Sequence, residues 1–325
     1  MTQTPQPASL AGRDCLALSE WNPADCARIV ALAHQIKANP TSFANTLAGK
    51  SAVLVFEKPS LRTRVSFEVG LAKLGAHTLF YDTRAERMGE RESVHDYAKN
   101  LERYADILIA RVFAHDTIEQ LAEHASVPVI NALSDLHHPC QALADILTLE
   151  EAARARTWQH PLTIAFVGDG NNVCHSLMIA CAMTGHHFRW VGPEGYQPHP
   201  SPTADAKRFA SQTGATHTHS NNLNDLKDVH AIYADTWVSM GDEAQTQQRI
   251  AAFTPYRITP TLFEHTHNNA VFMHCLPAHR GEEVEASVID DPNRSIVFDQ
   301  AENRMWAQMA LTLELLAAAP KDNNP

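Results

Sequence analysis

Arg62 and Arg64 flank Thr63 just after an apolar run, in the segment Phe56-Glu-Lys-Pro-Ser60-Leu61-Arg62-Thr63-Arg64. Two guanidiniums and the Ser60 and Thr63 hydroxyls so close together can saturate a dianionic phosphate with charge-assisted hydrogen bonds. The run 51–56 is short, apolar and partly β-branched, and it follows Gly49, which predicts a buried strand. Beyond it, Phe67, Leu71 and Leu74 recur at helical spacing, with Gly75 as a stop. Residues 60–64 therefore fall where a strand end turns into a helix. Free backbone N–H groups and the positive end of the helix dipole suit an anion there. The competing account is a solvated helix cap with surface arginines, although solubility does not call for two arginines around a threonine.

Other reactive side chains also follow apolar runs. Arg111 ends 106–110, and His138, Pro139 and Gln141 follow 127–131 and open a helix over 141–154. A histidine in that position is ordinarily a cap or a surface residue. Its place at a strand's C-terminal end favours ligand contact, because open α/β sheets bind ligands along that edge. Gly168-Asp-Gly-Asn-Asn172 follows 162–167 and invites a dinucleotide reading, but the fingerprint needs glycine where Val173 stands. Asp235 closes 231–234 and suits a substrate ammonium, or else caps a helix. Cys275 follows 271–274, where a thiol beside His274 or His279 invites a nucleophile reading. The 19 histidines raise a metal question, but His217 with His219 and His186 with His187 lack a ligand set of suitable spacing, so these are read as surface histidines and no metal is expected.

The elements that must position these groups alternate. Strands are expected at 51–56, 77–81, 106–110 and 127–131, with helices over 93–104 and 117–124. A turn at 158–161 separates them from a second series, with strands at 162–167, 188–191, 231–234, 271–274 and 295–298. Such alternation predicts an α/β chain of two domains, each a parallel sheet flanked by helices. The boundary is placed near residue 150, giving domains 1–150 and 151–300. A last helix over about 301–318 is apolar on Met305, Met309, Leu313 and Leu316, and 320–325 should be a disordered tail.

Composition narrows the classes of function. With 325 residues and 44% hydrophobic content the chain can bury two cores. A net charge of −11 disfavours a nucleic-acid surface. No apolar run approaches the roughly 20 residues of a membrane span, and 1–11 has neither the basic start nor the apolar core of a secretion signal. Six cysteines without a C-x-x-C pair point to reduced thiols and a cytoplasmic location.

Ser60-Leu61-Arg62-Thr63-Arg64 resembles the phosphate-binding signature of the carbamoyltransferases, usually Ser-Thr-Arg-Thr-Arg. His137-His-Pro-Cys-Gln141, Asp235-Thr-Trp-Val-Ser-Met-Gly241 and His274-Cys-Leu-Pro277 are similar, in order, to the ornithine branch of that family. The resemblance implies transfer of a carbamoyl group from carbamoyl phosphate to the δ-amino group of L-ornithine. No cofactor is implied, since the leaving phosphate can accept the proton. It implies that Ser60, Leu61, Arg62, Thr63, Arg87, Arg111, His138, Pro139, Cys140, Gln141, Cys275, Leu276 and Arg304 meet carbamoyl phosphate. By the same resemblance Arg62, Arg111, His138 and Cys275 would be the catalytic residues, Cys275 orienting the amine with Asp235 and forming no covalent intermediate. Asn172, Asp235, Ser239 and Met240 would hold ornithine, the 239–241 loop closing over it. The final helix would return to the first domain, with Arg304 at its start. Arg87 would reach a neighbouring subunit's phosphate site in a homotrimer or a multiple of one. Leu61 in place of threonine also suits relatives that carbamoylate acylated ornithines. A Rossmann-type nucleotide-binding module and a binder that has lost activity are the remaining alternatives.

Overall fold

The computed structural model describes residues 9–84, 87–238 and 243–317. These divide into two compact units, one running to Ala144 and resuming at Arg304, the other spanning Asp145–Asn303.

The first unit opens with α1 (Pro23–Ala38), capped reciprocally by Asn22 and Asp25, then β1 (Ser51–Phe56), α2 (Leu61–Lys73) and β2 (His77–Asp82). It continues with α3 (Val94–Leu101), β3 (Ile107–Arg111), α4 (His115–His124), β4 (Val129–Leu133) and the first turns of α5 (Pro139–Arg156). Its four parallel strands lie in the order β2-β1-β3-β4. Val53, Val55, Leu108, Ala110 and Val129 face Val94 and Ala98 of α3 and Ile118 and Leu121 of α4 in one buried layer. Gly75 has φ +86° and stops α2, and a Cβ there would meet the Asn45 backbone at 2.9 Å. A Cβ on Gly70 would stand 3.0 Å from Met309 Cγ, so glycine allows a close approach to the last helix.

The second unit carries the rest of α5, then β5 (Thr163–Val167), α6 (Asn172–Met183), β6 (His187–Val191), α7 (Pro200–Thr213), β7 (His217–Ser220) and β8 (Ala231–Ala234). After them come α8 (Thr246–Phe253), β9 (Val271–His274), the short α9 (Ala286–Ile289) and α10 (Val297–Leu316), whose residues from Arg304 onward return to the first unit. The strands are parallel in the order β7-β6-β5-β8-β9.

Two expectations need correction. Residues 295–298 are no strand: Ser295 makes a single bridge to Phe272, and Val297 already starts α10. The helix therefore begins four residues before the expected 301, and Arg304 sits in its second turn. The fifth strand of the sheet is β7, at the opposite edge beside β6; it reads His-Thr-His-Ser, is a solvated edge strand and shows no apolar run.

Three histidines stitch the N-terminal edge of the second sheet. The Nδ1 atoms of His186, His230 and His187 accept the backbone N–H groups of Leu162 (3.3 Å), Thr163 (3.0 Å) and Thr216 (3.0 Å). His160 stacks on His186 and His267 on His230. Burial, then neighbouring imidazoles, push His186 and His230 down to about 4 from 6.5. Their folded pKa lies below the unfolded one, so this stabilisation is complete above pH 6.5 and is lost as pH falls toward 4. For His186, which is 4% exposed, the window amounts to about 3 kcal/mol; His230 is more open and contributes less. Urea unfolding between pH 7 and 4 should show this loss, and His186→Asn should flatten it. An unchanged slope in the variant would refute the assignment.

Candidate functional site

Both sheets reverse strand order about their first strand. In the first sheet the chain goes from β1 to β2 on one side and then to β3 on the other; in the second it goes from β5 to β6 and β7, then to β8. Ligands of open α/β folds bind at the carboxyl ends of strands at such a switch point. Of the predicted residues, Ser60–Thr63 follow β1, Arg111 ends β3, Asn172 follows β5 and Asp235 follows β8. His138–Gln141 follow β4, Cys275 and Leu276 follow β9, Arg87 comes after β2, and Arg304 lies within α10.

In the first unit Ser60 is the N-cap of α2, its Oγ accepting the Thr63 N–H at 3.3 Å. That cap removes one of the three backbone donors expected for an anion. Leu61 and Arg62 keep their N–H groups without an intramolecular partner among the described residues. The Leu61 side chain is 74% exposed, so it adds backbone only. Arg62 is half-buried and has no carboxylate partner among the described residues.

Thr63 is buried and is tied to the far end of the chain. Arg304 Nη2 donates to Thr63 Oγ1 at 3.3 Å and Nη1 to Gln141 Oε1 at 2.6 Å. Arg111, opposite Phe56 in the β1–β3 register, is buried, as are His138 and Arg304. Burial first, then the charges of Arg304 and Arg111, hold His138 well below the usual imidazole range. A neutral imidazole keeps one N–H to offer a carbonyl oxygen and carries no proton to give away. Burial, then Arg111, also lowers Lys58, whose Nζ lies 4.4 Å from the Phe113 ring centre.

Local structure limits what Cys140, Pro139 and Arg87 can offer within this chain. The Cys140 thiol points to the Asn131 carbonyl at 3.5 Å, and burial pushes its pKa up to about 12, so its side chain is not presented to a ligand. Pro139 is the first residue of α5 and has no N–H to give. The Arg87 guanidinium stacks on Phe113 of its own chain at 3.8 Å, instead of extending away from it.

In the second unit the β8–β9 register pairs Ala234 with His274, so the next residues, Asp235 and Cys275, are neighbours. Cys275 Sγ donates to Asp235 Oδ1 at 2.9 Å, and the Thr236 N–H reaches the same oxygen at 2.8 Å. Asn171 Nδ2 donates to Asp235 Oδ2 at 2.7 Å. His274 does not serve the thiol: its Nδ1 accepts the Leu276 N–H at 2.8 Å and its Nε2 faces Glu283 Oε1 at 3.2 Å. Leu276 takes φ +60°, a conformation unusual for leucine, with its N–H anchored by that imidazole. The nucleophile reading of Cys275 therefore loses His274 as its base.

The loop after β5 is packed by protein. A Cβ on Gly170 would lie 2.2 Å from Pro198 N, and the Gly170 N–H is spent on the Tyr196 carbonyl. This glycine makes room for the chain and leaves no space for a pyrophosphate. Asn172 is the first residue of α6, directly after the Asn171 cap. Ser239 and Met240 lie outside the described residues.

Sequence reasoning missed Asn171 and Arg249. Arg249 of α8 forms an ion pair with Asp169 and donates to the Trp237 carbonyl at 2.6 Å, binding the Gly168 loop to the segment after Asp235. Nothing local marks an arginine in an amphipathic helix as this brace.

Two parallel α/β sheets, each with polar groups gathered at the carboxyl ends of its strands, define a doubly wound protein with two candidate binding loop clusters. Residues 13–151 match the family described as aspartate/ornithine carbamoyltransferase, carbamoyl-P binding domain, and residues 160–315 its Asp/Orn binding domain. The ornithine carbamoyltransferase of Bacillus subtilis (strain 168) is 42% identical over 325 residues, covering 100% of this chain and 99% of that one. That of Moritella abyssi is 46% identical over 288 residues, 89% of this chain and 94% of the relative. The ornithine carbamoyltransferase structure from Pyrococcus furiosus superposes with a TM-score of 0.90 at 41% identity, covering 96% of this chain and 99% of its own. The anabolic enzyme of Campylobacter jejuni gives 0.87 at 31%, covering 92% and 97%. The chain belongs to the aspartate/ornithine carbamoyltransferase family.

Proposed function

We propose that this chain transfers the carbamoyl group of carbamoyl phosphate to the δ-amino group of L-ornithine, giving L-citrulline and phosphate (EC 2.1.3.3). The observation that carries the reading is the Cys275–Asp235 pair at the carboxyl ends of β8 and β9, in a chain matched along its length by ornithine carbamoyltransferases. Aspartate gives the amine an anionic acceptor, and the thiol beside it orients that acceptor.

The residues up to 150 with the last helix take carbamoyl phosphate, and 151–300 take ornithine. The free N–H groups of Leu61 and Arg62, the Ser60 hydroxyl and the Arg62 guanidinium hold the phosphate. Thr63, Arg111 and neutral His138 face the carbonyl oxygen, which gains negative charge as the amine attacks. Pro139 and Cys140 give backbone, Gln141 is steered by Arg304, and Leu276 lines the carbamoyl end. Asn172, Asp235, Ser239 and Met240 receive ornithine. The amine attacks unprotonated, and the departing phosphate takes its proton, so activity rises with pH below the ornithine ammonium pKa near 10.

Cys275→Ala should lower kcat/KM for ornithine by about tenfold yet leave turnover, as for an orienting hydrogen bond. Complete inactivity in folded protein, or a carbamoyl-cysteine adduct in its mass spectrum, would reverse this role.

The assembly we infer is a homotrimer or a multiple of it. Leu61, Val65 and Val69 on one face of α2, with Leu79 and Tyr81 on the edge strand β2, are exposed apolar residues that a second copy would cover. The loop carrying Arg87 would then meet a neighbour's phosphate site. The role is biosynthetic, as in the anabolic Campylobacter jejuni relative. A cytoplasmic location accords with six free thiols, and none of the described helices is long and apolar enough to cross a membrane.

The test is a citrulline assay with ornithine, acetylornithine, putrescine and aspartate side by side. Ornithine alone should be turned over efficiently. Preference for acetylornithine would move the chain to the acylated-ornithine reading that Leu61 suggests, and no turnover of any amine would end the proposal.

A further inference from the structure

Asn171 occupies an unusual position in the second unit, because its two amide atoms serve different elements. Its Oδ1 accepts the N–H groups of Val173 and Cys174, each at 3.1 Å, and so caps α6. That double acceptance fixes which end of the amide is which: a flipped amide would turn an NH2 toward two N–H donors. Nδ2 is thereby aimed at Asp235 Oδ2, 2.7 Å away. Sheet order makes the meeting possible, since β5 and β8 are neighbours with Val167 opposite Ala234, and the loops that follow them run side by side.

The count of acceptor sites gives this contact a consequence. A carboxylate offers about four lone-pair sites. Among the described residues, Asn171 takes one on Oδ2, while Thr236 N–H and Cys275 Sγ take two on Oδ1. One remains, on the oxygen that Asn171 orients. We propose that Asn171 is a positioning residue that holds the Asp235 carboxylate with a single free acceptor directed at the attacking amine, coupling the start of α6 to substrate orientation. This rests on the carbamoyl-transfer reading and adds to it a residue that never touches substrate.

Two variants separate positioning from capping. Asn171→Ser keeps a good N-cap but is too short to reach Asp235. It should retain the parent's thermal midpoint within a few degrees and its KM for carbamoyl phosphate within about twofold, while kcat/KM for ornithine falls about tenfold or more. Asn171→Asp also caps α6, better still when ionised, but sets a second carboxylate against Asp235. As pH falls, the pair shares a proton and the new carboxyl donates where Nδ2 did. The ratio of variant to parent kcat/KM should therefore climb as pH is lowered from 9 to 6. A purely capping role predicts the opposite: full activity for the ionised Asn171→Asp variant at high pH, and no gain below. Parental ornithine kinetics in Asn171→Ser, or a ratio that is flat or falls with decreasing pH, overturns the inference. Should the serine variant fail to fold, the aspartate ratio decides alone. A parent that turns over none of the four amines overturns the functional reading and this inference with it; an active parent with unaffected variants overturns only the inference.

Discussion

Arg62→Ala should lower kcat/KM by about 30- to 1,000-fold, equivalent to about 2–4 kcal/mol of lost transition-state stabilisation. The size follows from where the guanidinium sits. Arg62 is the second residue of α2, next to Leu61, and the backbone N–H groups of both are unpartnered among the described residues; in the proposed role it both holds the phosphate and stabilises charge that builds as the carbamoyl bond breaks. It makes no ion pair among the described residues, so its removal should leave folding intact. The measurement is steady-state kinetics in both substrates, with thermal unfolding as control. A variant within threefold of the parent would remove the phosphate assignment from this turn.

Asp235→Asn should be as damaging on the other substrate. The change is nearly isosteric but removes the anion, and it sets an amide among three donors from Asn171, Thr236 and Cys275. The new NH2 must oppose at least one of them. A fall of about a hundredfold in kcat/KM for ornithine, about 3 kcal/mol, is expected from loss of a charged hydrogen-bond acceptor. KM for carbamoyl phosphate should barely move, because the residues assigned to it belong mostly to the other unit. Equal losses on both substrates would show that Asp235 supports the fold more than the amine.

The strands legible as unbroken apolar runs are those buried on both faces, although the exposed edge strand β2 was also placed, at 77–81. β1, β3, β5, β8 and β9 appear in the sequence as short apolar runs because parallel strands covered by helices have no solvated side. β7 escaped notice because an edge strand needs no such run, and 295–298 misled because apolar residues at the start of a buried helix look the same locally. The turn from β1 into α2 with Ser60 at its cap was equally legible, since its signals are contiguous in sequence.

Sequence alone thus determined the chemistry that neighbouring residues can express: the hydroxyl- and arginine-bearing turn into α2, the histidine opening α5, the aspartate and the cysteine at strand ends. Only the tertiary structure decided which distant groups meet. Arg304 reaches Gln141 across 163 residues because α10 returns to the first unit. Asn171, and not Asn172, meets Asp235 across 64 residues because β8 pairs with β5 on the side that β6 leaves open. A residue's type and spacing set what it can donate or accept, whereas strand order and register bring partners within 3 Å, and no local pattern encodes that choice.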